Sequence, residues 1–188
     1  MEINGRTLEF EEETHTYLVD GEKVESVTQL LKRKFPSKYA DIAPEVLKRA
    51  SERGTMVHKA IEAYCKGFDD WSDEVQDFKF LKKHYNFHVL KNELPIIISF
   101  AGKTYAGTCD MILEMDDVYS VADIKTTSTL DKEYLGHQLN LYRIGVMQCY
   151  GYNIQDLYGI HLRDGTRKLV KIPIVEEADL IESMKEVL

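Results

Sequence analysis

The chain has 188 residues, of which 44% are hydrophobic and 30% charged, and this composition excludes collagen-like, disordered and mini-protein classes in favour of one globular domain. It contains no run of about 18 apolar residues and no basic and apolar leader at its N-terminus, so we expect a cytoplasmic protein that does not span a membrane. The 24 basic and 32 acidic residues give a net charge of −8, which argues against coating nucleic acid through bulk positive charge but leaves a local basic groove open.

The first half of the chain predicts a hairpin followed by three helices. Residues Leu8 to Val19 are rich in β-formers and lead into Asp20-Gly21, a dipeptide typical of tight hairpins. Ser26 is placed to cap a short helix that stops before Pro36. Two longer amphipathic helices are predicted over 44–66 and 72–85.

After residue 88 the spacing of the apolar residues becomes that of strands, and one more long helix interrupts them. A short loop containing Gly102 predicts a hairpin, and Gly151 ends the long helix. The predicted strands cover 89–100, 104–114, 118–124, 157–162 and 168–174, and the predicted helices cover 131–150 and 176–188. This order indicates a mixed α/β fold with a central antiparallel meander.

No repeat, linker or low-complexity segment divides the chain, so a single domain over 1–188 is expected. Within it, the N-terminal hairpin and helices take up 1–88, the main sheet and its helix 89–175, and a closing helix 176–188. The three cysteines are far apart and form no CxxC, which predicts reduced thiols and disfavours cysteine-bound zinc.

Charged residues at the ends of strands that otherwise look buried are the first sign of chemistry. Asp123 and Lys125 are two residues apart, so on a strand their side chains share one face while Ile124 points to the core. Asp110 lies on the preceding strand, where antiparallel pairing can bring it next to Asp123. Two close carboxylates repel unless a cation lies between them, and a hard divalent ion suits oxygen ligands. An ordinary Asp–Lys ion pair at a strand end is the alternative interpretation.

Five short motifs, GxxxH, a single Glu before a strand, GxxD, DxK and QxxxY, occur in one order along the chain. They are Gly54 to His58, Glu93, Gly107 to Asp110, Asp123 to Lys125, and Gln138 to Tyr142. Together they resemble the PD-(D/E)XK nuclease superfamily, in its RecB-like and phage-type exonuclease branch, which includes Cas4 and the mitochondrial genome maintenance exonuclease. The segments Thr14 to Tyr17 and Ser26 to Thr28 also look like those of small phage-encoded members.

The resemblance implies a role for each matched residue. His58, Asp110, Asp123 and the backbone carbonyl of Ile124 would bind one or two Mg²⁺ or Mn²⁺ ions. Lys125 would be the catalytic lysine that orients or deprotonates the attacking water.

The remaining matched residues would assist. Gln138 and Tyr142 are one helical turn apart and would position the Lys125 end of the site or a phosphate. Their alternative role is in the core and cap of the helix. Glu93 would support a second ion or a water, or else be a solvated carboxylate at a strand end.

The implied fold is a restriction-endonuclease-like core, a central mixed sheet flanked by helices, with the N-terminal helices forming an arch over the cleft. The implied function is metal-dependent hydrolysis of phosphodiester bonds at single-stranded or duplex DNA ends, in phage or prophage recombination, replication or repair. A phage recombination or replication protein and a second copy of the chain are the implied protein partners. Relatives with an iron–sulfur cluster use four cysteines, whereas this chain has three and none at cluster spacing.

Basic and aromatic residues near the N-terminal helices are the expected DNA contacts. The basic residues are Lys32, Arg33, Lys34, Lys38, Lys48, Arg49, Lys82, Lys83 and Arg143. The aromatic residues, which would stack on unpaired bases or else belong to the core, are Phe35, Tyr39 and Tyr64.

Two other functions fit parts of the pattern. A catalytically silent module of the same fold would bind DNA or a protein, but such a module has no need to keep Asp110, Asp123 and Lys125 together. A zinc hydrolase would use His58 and Glu62, four residues apart on one helix face, although no HExxH or other compact zinc signature is present.

Overall fold

The structure, a computed structural model, describes residues 1–36 and 42–188. The predicted DNA contacts Lys38 and Tyr39 lie outside these ranges. The described chain is an α/β protein in which helices flank a mixed sheet. No helix within the described ranges is long and apolar enough to cross a membrane.

Nine strands of the described residues form one sheet, in the order β1-β2-β3-β4-β6-β7-β8-β9, with β5 paired to β6. The strands are β1 Glu2–Ile3, β2 Arg6–Glu11, β3 Thr16–Val19, β4 Glu22–Ser26, β5 His88–Phe100, β6 Lys103–Met115, β7 Val118–Lys125, β8 Ile154–Arg163 and β9 Thr166–Ile172. Most neighbours are antiparallel, but β4 with β6 and β7 with β8 are parallel. The predicted central antiparallel meander is confirmed in β5, β6 and β7, and the parallel pairings lie on either side of it, where helices separate the paired strands in sequence.

Helices cover both faces of the sheet. They are α1 Val27–Lys34, α2 Pro44–Cys65, α3 Asp73–His84, α4 Lys132–Tyr150 and α5 Glu177–Met184. Helices α1 and α4 pack in one apolar cluster, α2 and α3 in a second, and β1 to β3 cover a third. Helix α4 approaches β5 closely at Gly145, where a Cβ atom would lie 2.7 Å from Ile98 Cγ1. This contact sets the position of the residues that α4 contributes to the site.

Local sequence explains where the elements begin and end. Ser26 caps α1 through a capping box with Gln29, as the sequence predicts. Gly151 ends α4 in the left-handed conformation that glycine tolerates. The segment predicted as one β-rich stretch, Leu8 to Val19, is instead two strands joined by a turn at 12–15. The closing helix also ends at Met184, four residues short of the C-terminus.

Strand β6 has two different neighbours along one of its edges. Near its start, Tyr105 and Ala106 pair with the end of β4, and from Met111 onward it pairs with β7. Between these pairings the chain leaves β4 for helix α1, so the sheet forks beside residues 107–110. The other edge of β6 pairs with β5 along almost its whole length. The fork therefore lies beside β6, whose other edge is fixed by its pairing with β5.

Candidate metal centre at the fork of the sheet

A cleft of about 280 Å³ lies at the fork, and we call it the forked cleft. It is lined by Phe10, His15, Tyr17, Ser26, Thr28, Glu93, Gly107, Thr108, Asp110 and Tyr142. Three of these residues, Glu93, Asp110 and Tyr142, are among those that the motifs single out. The cleft therefore joins parts of the chain that are more than 100 residues apart in sequence.

The two aspartates predicted to be neighbours lie where the pairing of β6 with β7 ends. Asp110 and Asp123 each lie one residue beyond the paired Met111 and Ala122. Asp110 is buried and its Oδ2 accepts a hydrogen bond from the Ile124 N–H at 2.8 Å. Asp123 is 1% exposed, and its Oδ2 lies 2.5 Å from Lys125 Nζ. We call Asp123 and Lys125 the Lys125 pair.

Helix α2 carries His58 to the same place. His58 Nε2 donates to the Ile124 carbonyl at 3.1 Å. His58 Nδ1 lies 3.4 Å from Asp110 Oδ2 and 3.8 Å from Glu93 Oε1. Burial disfavours the charged imidazolium, but the carboxylates of Asp110, Glu93 and Asp123 outweigh that cost and raise the pKa of His58 to about 9. The imidazolium is thus the positive charge among these carboxylates at neutral pH.

Glu93 lies within β5, as the predicted strand over 89–100 implies, although the family motif has its Glu before a strand, and its backbone is unusual for a strand. Its φ angle is +46°, in the left-handed region that side chains rarely adopt. Leu94 pairs with Cys109 and Asn92 with Met111, so Glu93 faces Asp110 across the ladder. A non-glycine residue in this conformation costs about 1 kcal/mol or more, and such strain concentrates at functional sites. The solvated role that the sequence left open for Glu93 does not account for this strain.

His58, Glu93 and Asp110 form a group whose potential ligand atoms all lie within 4.8 Å of one another, and we call it the His58 group. One imidazole nitrogen and two carboxylates are donors that Mn²⁺ and Mg²⁺ accept. Burial and the nearby charge of Asp123 raise the pKa of Asp110 to about 7. Carboxylates held at this cost can hold a divalent cation, which would offset their repulsion.

Helix α4 adds one amide group, of Gln138, and one hydroxyl group, of Tyr142, on its buried face. Gln138 Nε2 donates to Tyr142 Oη at 3.1 Å, and both residues are buried. Burial, with the charges of Asp123 and Asp110, raises the pKa of Tyr142 well above its ordinary value. Tyr142 lies against β6, where a Cβ atom on Gly107 would be 3.4 Å from its Cε1. Tyr142 is therefore a neutral hydroxyl in the wall of the forked cleft.

The structure brings together most of the predicted site residues. His58 contacts the Ile124 carbonyl, and Asp110 accepts a hydrogen bond from the Ile124 N–H. Glu93, which was predicted to support a second ion or a water, lies with His58 and Asp110 in the His58 group. Asp123 lies alongside but is held by Lys125. In the zinc alternative, Glu62 would share an ion with His58, but its carboxylate instead pairs with Lys66 at 2.5 Å.

Three aromatic residues of the cleft, Phe10, His15 and Tyr17, were not among the predicted base-stacking residues. Two of those that were predicted pack elsewhere: Phe35 contacts Tyr134 and His137, and Tyr64 contacts Phe78. The one sequence signal for these residues is the segment Thr14 to Tyr17, which resembles small phage-encoded members of the family but did not by itself predict aromatic residues at the cleft. A parallel pairing between β4 and β6, which has no local signal, carries this segment to the cleft.

A second cavity, of about 510 Å³, is larger than the forked cleft and is lined by Lys23, Val24, Glu25, Gln29, Lys32 and Arg33. Several of its polar side chains already pair with other groups of the protein. Arg33 pairs with Glu25 at 2.7 Å, and Gln29 belongs to the cap of α1. Lys32 and Arg33, two of the predicted DNA contacts, thus line this cavity and not the forked cleft. We assign the chemistry to the smaller cleft because its carboxylates have no such balance.

No protein-family model matches the chain, and no curated protein matches it. Among solved structures, 22 chains match. One of them is the crystal structure of SSO0001, with a TM-score of 0.51 and 18% sequence identity, over 87% of this chain and 74% of that one. At this identity the likeness establishes a shared α/β fold, and the function must be inferred from the residues of the site.

Proposed function

We propose that the protein is a divalent-metal-dependent DNA exonuclease of the PD-(D/E)XK type, which hydrolyses phosphodiester bonds at DNA ends. The observation that carries the proposal is the His58 group beside the Lys125 pair, with Asp110 and Asp123 next to the paired residues Met111 and Ala122 of β6 and β7. The five motifs in their order support it. A restriction-endonuclease-like core is part of the proposal, and the mixed sheet with helices on both faces is compatible with it.

His58, Glu93 and Asp110 would hold the ion, with the Ile124 carbonyl at the edge of the group. A bound Mg²⁺ or Mn²⁺ ion supplies a water of lowered pKa and stabilises charge on the scissile phosphate. Within the chain, Asp110 and His58 release their protons when they become ligands, since His58 is protonated and Asp110 partly protonated near neutral pH. Binding of the ion is therefore expected to release protons and to strengthen as pH rises.

Lys125 is the cation that the chain itself brings to the reacting phosphate. Its Nζ is held by Asp123, which fixes where the ammonium points, and from there the ammonium would orient the attacking water or stabilise charge on the phosphate. The Tyr142 hydroxyl, fixed by Gln138, lies in the cleft wall and can donate to a phosphate oxygen. The first part of α2 is mostly exposed and carries Lys48 and Arg49, which suits the proposed arch.

Cleavage of end-labelled linear and circular DNA, single-stranded and duplex, with Mg²⁺, Mn²⁺ or EDTA tests the proposal. We expect metal-dependent loss of linear but not circular DNA, absent in Lys125→Ala. Lys171→Ala is the matched control, because it removes a lysine that also pairs with an aspartate, Asp156, at 2.6 Å but lies on β9 and belongs to none of the five motifs.

The outcomes separate the functions considered for this chain. Cleavage by the unaltered protein and by Lys171→Ala, but not by Lys125→Ala, supports the proposal. No cleavage of any substrate overturns it and favours the catalytically silent module. Tight stoichiometric binding of zinc, with no response to Mg²⁺ or Mn²⁺, favours the zinc hydrolase.

A further inference from the structure

Three aromatic rings of the β2–β3 hairpin stand on the rim of the forked cleft. Phe10, His15 and Tyr17 line it together with Glu93 and Asp110 of the His58 group. We call these three residues the aromatic turn. The strands that carry them run antiparallel, with Phe10 paired to Tyr17, so the rings lie side by side at one end of the hairpin.

The rings are built on a fixed base. Tyr17 is buried, and its hydroxyl lies 3.2 Å from Thr108 Oγ1 on β6. The Phe10 ring packs against Tyr17 with 4.5 Å between ring centroids, and His15 meets Phe10 edge-on at 5.1 Å. Phe10 is nevertheless 44% exposed. Tyr17 thus supports an aromatic surface whose outer part, Phe10 and His15, is open to a ligand.

His15 holds its place in this surface at some conformational cost. Its φ angle is +50°, in the left-handed region that glycine adopts freely and that side chains rarely adopt. It is the last residue of the turn that joins β2 to β3, where a glycine would serve the turn at least as well. An imidazole kept in this conformation beside an ion-binding group points to contact with a ligand.

The cleft combines three kinds of side chain. The aromatic turn, the hydroxyls of Ser26, Thr28 and Thr108, and the carboxylates of Glu93 and Asp110 all line it. None of the described residues lining the cleft is a lysine or an arginine. A strand that binds here cannot depend on direct charge pairing, so stacking on the rings must supply part of the affinity.

We propose that the aromatic turn stacks an unpaired nucleobase next to the phosphate held at the His58 group, so that the substrate is a single-stranded DNA end. The proposal rests on the proposed nuclease function and names its substrate. A cleft of about 280 Å³ suits one nucleotide unit, whereas a duplex keeps its bases stacked inside the helix and offers none to the rings.

Binding of fluorescent oligonucleotides tests the proposal in an inactive background that keeps its fold. The double variant Asp123→Asn/Lys125→Met serves, because it removes both partners of a buried ion pair together. In this background we compare Phe10→Ala and His15→Gly with Trp71→Ala, which removes an exposed aromatic ring outside the cleft. Each protein is titrated, in Mg²⁺, against a single strand, the same strand with an abasic end, and a blunt duplex.

We expect Phe10→Ala and His15→Gly to bind the intact single strand about tenfold more weakly, the size of one lost base–aromatic contact. Their affinities for the abasic strand and the duplex should match those of the background protein, and Trp71→Ala should change none of the three. Phe10→Trp should retain affinity. The thermal midpoint of His15→Gly should stay at or above that of the background, because glycine relieves the turn.

Other results overturn the stacking site. Equal losses on the intact and abasic strands would mean that the rings act only through the fold, and no loss on the intact strand would mean that they do not touch the base. The failure of the nuclease function is seen separately. If Phe10→Ala weakens binding of the intact single strand but the unaltered protein cleaves no substrate, the stacking site stands and the proposed hydrolysis is overturned.

Discussion

The His58 group and the Lys125 pair meet where the pairing of β6 with β7 ends, yet the negative charge of their buried carboxylates is balanced differently in the two. Lys125 neutralises Asp123 within one strand, at 2.5 Å. Glu93 and Asp110, in contrast, share the imidazole of His58, and the pKa of Asp110 rises to about 7. The comparison makes the His58 group the better candidate for an ion site, because the chain leaves part of its carboxylate charge without a counter-charge. The number of nearby carboxylates alone would not separate the two clusters.

The largest expected effect comes from removing the ammonium group of Lys125, the cation of the Lys125 pair. Lys125→Ala should lower the cleavage rate by about 10²- to 10⁴-fold, because it removes the proposed general base or electrostatic group. It should also lower the free energy of unfolding by about 3 kcal/mol, since Asp123 would remain as a buried carboxylate without its ion pair. Single-turnover cleavage and denaturant unfolding measure the two effects.

The double variant Asp123→Asn/Lys125→Met separates the two effects. It should recover most of the lost stability and none of the lost activity, because neither partner of the pair is then left alone. Recovery of activity together with stability would show that Lys125 serves the fold and not the reaction.

In the His58 group, removing a charge should raise the stability of the protein, whereas in the Lys125 pair it lowers it. Asp110→Asn removes a carboxylate that burial and Asp123 both disfavour, so in EDTA at pH 8 we expect the free energy of unfolding to rise by about 1 kcal/mol. Mn²⁺ binding, followed by calorimetry, should be lost at the same time. A variant that is less stable than the parent in EDTA would contradict the assignment of unbalanced charge to this group.

The stability of the protein in EDTA should fall as pH rises. The pKa of Asp110 rises from 3.8 to about 7 on folding, so the folded protein binds the extra proton between these values and loses stability across them. The pKa of His58 rises from 6.5 to about 9, so its contribution is complete below 6.5 and lost as pH passes 9. Both shifts act in the same direction, and thermal unfolding between pH 5 and 9 measures their sum.

Mn²⁺ should oppose this decline, because the ion replaces the protons that the group loses. We expect the gain in melting temperature on adding Mn²⁺ to be larger at pH 8.5 than at pH 6, by about 2–4 °C for each kcal/mol of added binding. Asp110→Asn is the control that should abolish the gain. An equal gain at both values of pH would place the bound ion at another group.

The smallest expected effect concerns the helix that carries His58. A Cβ atom on Gly54 would lie 3.5 Å from Thr126 Oγ1, an ordinary contact, although this glycine begins the GxxxH motif. Gly54→Ala should therefore raise the free energy of unfolding by up to about 1 kcal/mol through helix propensity. Cleavage should stay within about twofold of the parent. A large loss of activity would indicate that the substrate passes close to this part of α2.

Most helices and strands of the fold could be predicted because their signals are local. The cap at Ser26, the stop at Gly151 and the Asp20-Gly21 turn all lie within a few residues of the elements that they bound. The turn at 12–15 was missed because its residues, Glu12 to His15, include neither glycine nor proline. The parallel pairings were missed because they join segments that are far apart in sequence.

The site could be predicted in part for the same reason. The Lys125 pair follows from the two-residue period of a strand, and the nearness of Asp110 follows from a hairpin. The position of Glu93 within the His58 group does not follow from either, because it depends on a strained backbone at one residue. The docking of α2, which brings in His58, depends on packing across the sheet.

The fork of the sheet also affects how the protein opens. Residues 1–26 join the larger part of the sheet through the pairs Glu25–Tyr105 and Ser26–Ala106, and their small core rests on Ile97 and Ala106. Such a unit can unfold and refold locally while β5, β6 and β7 stay paired. Backbone amides of β2 and β3 should then exchange with deuterated water sooner than those of β6. The wall of the forked cleft that β2 and β3 form would open while the wall formed by β5 and β6 keeps its shape. Under the proposed function, a product strand could then leave without disturbing His58, Glu93 and Asp110.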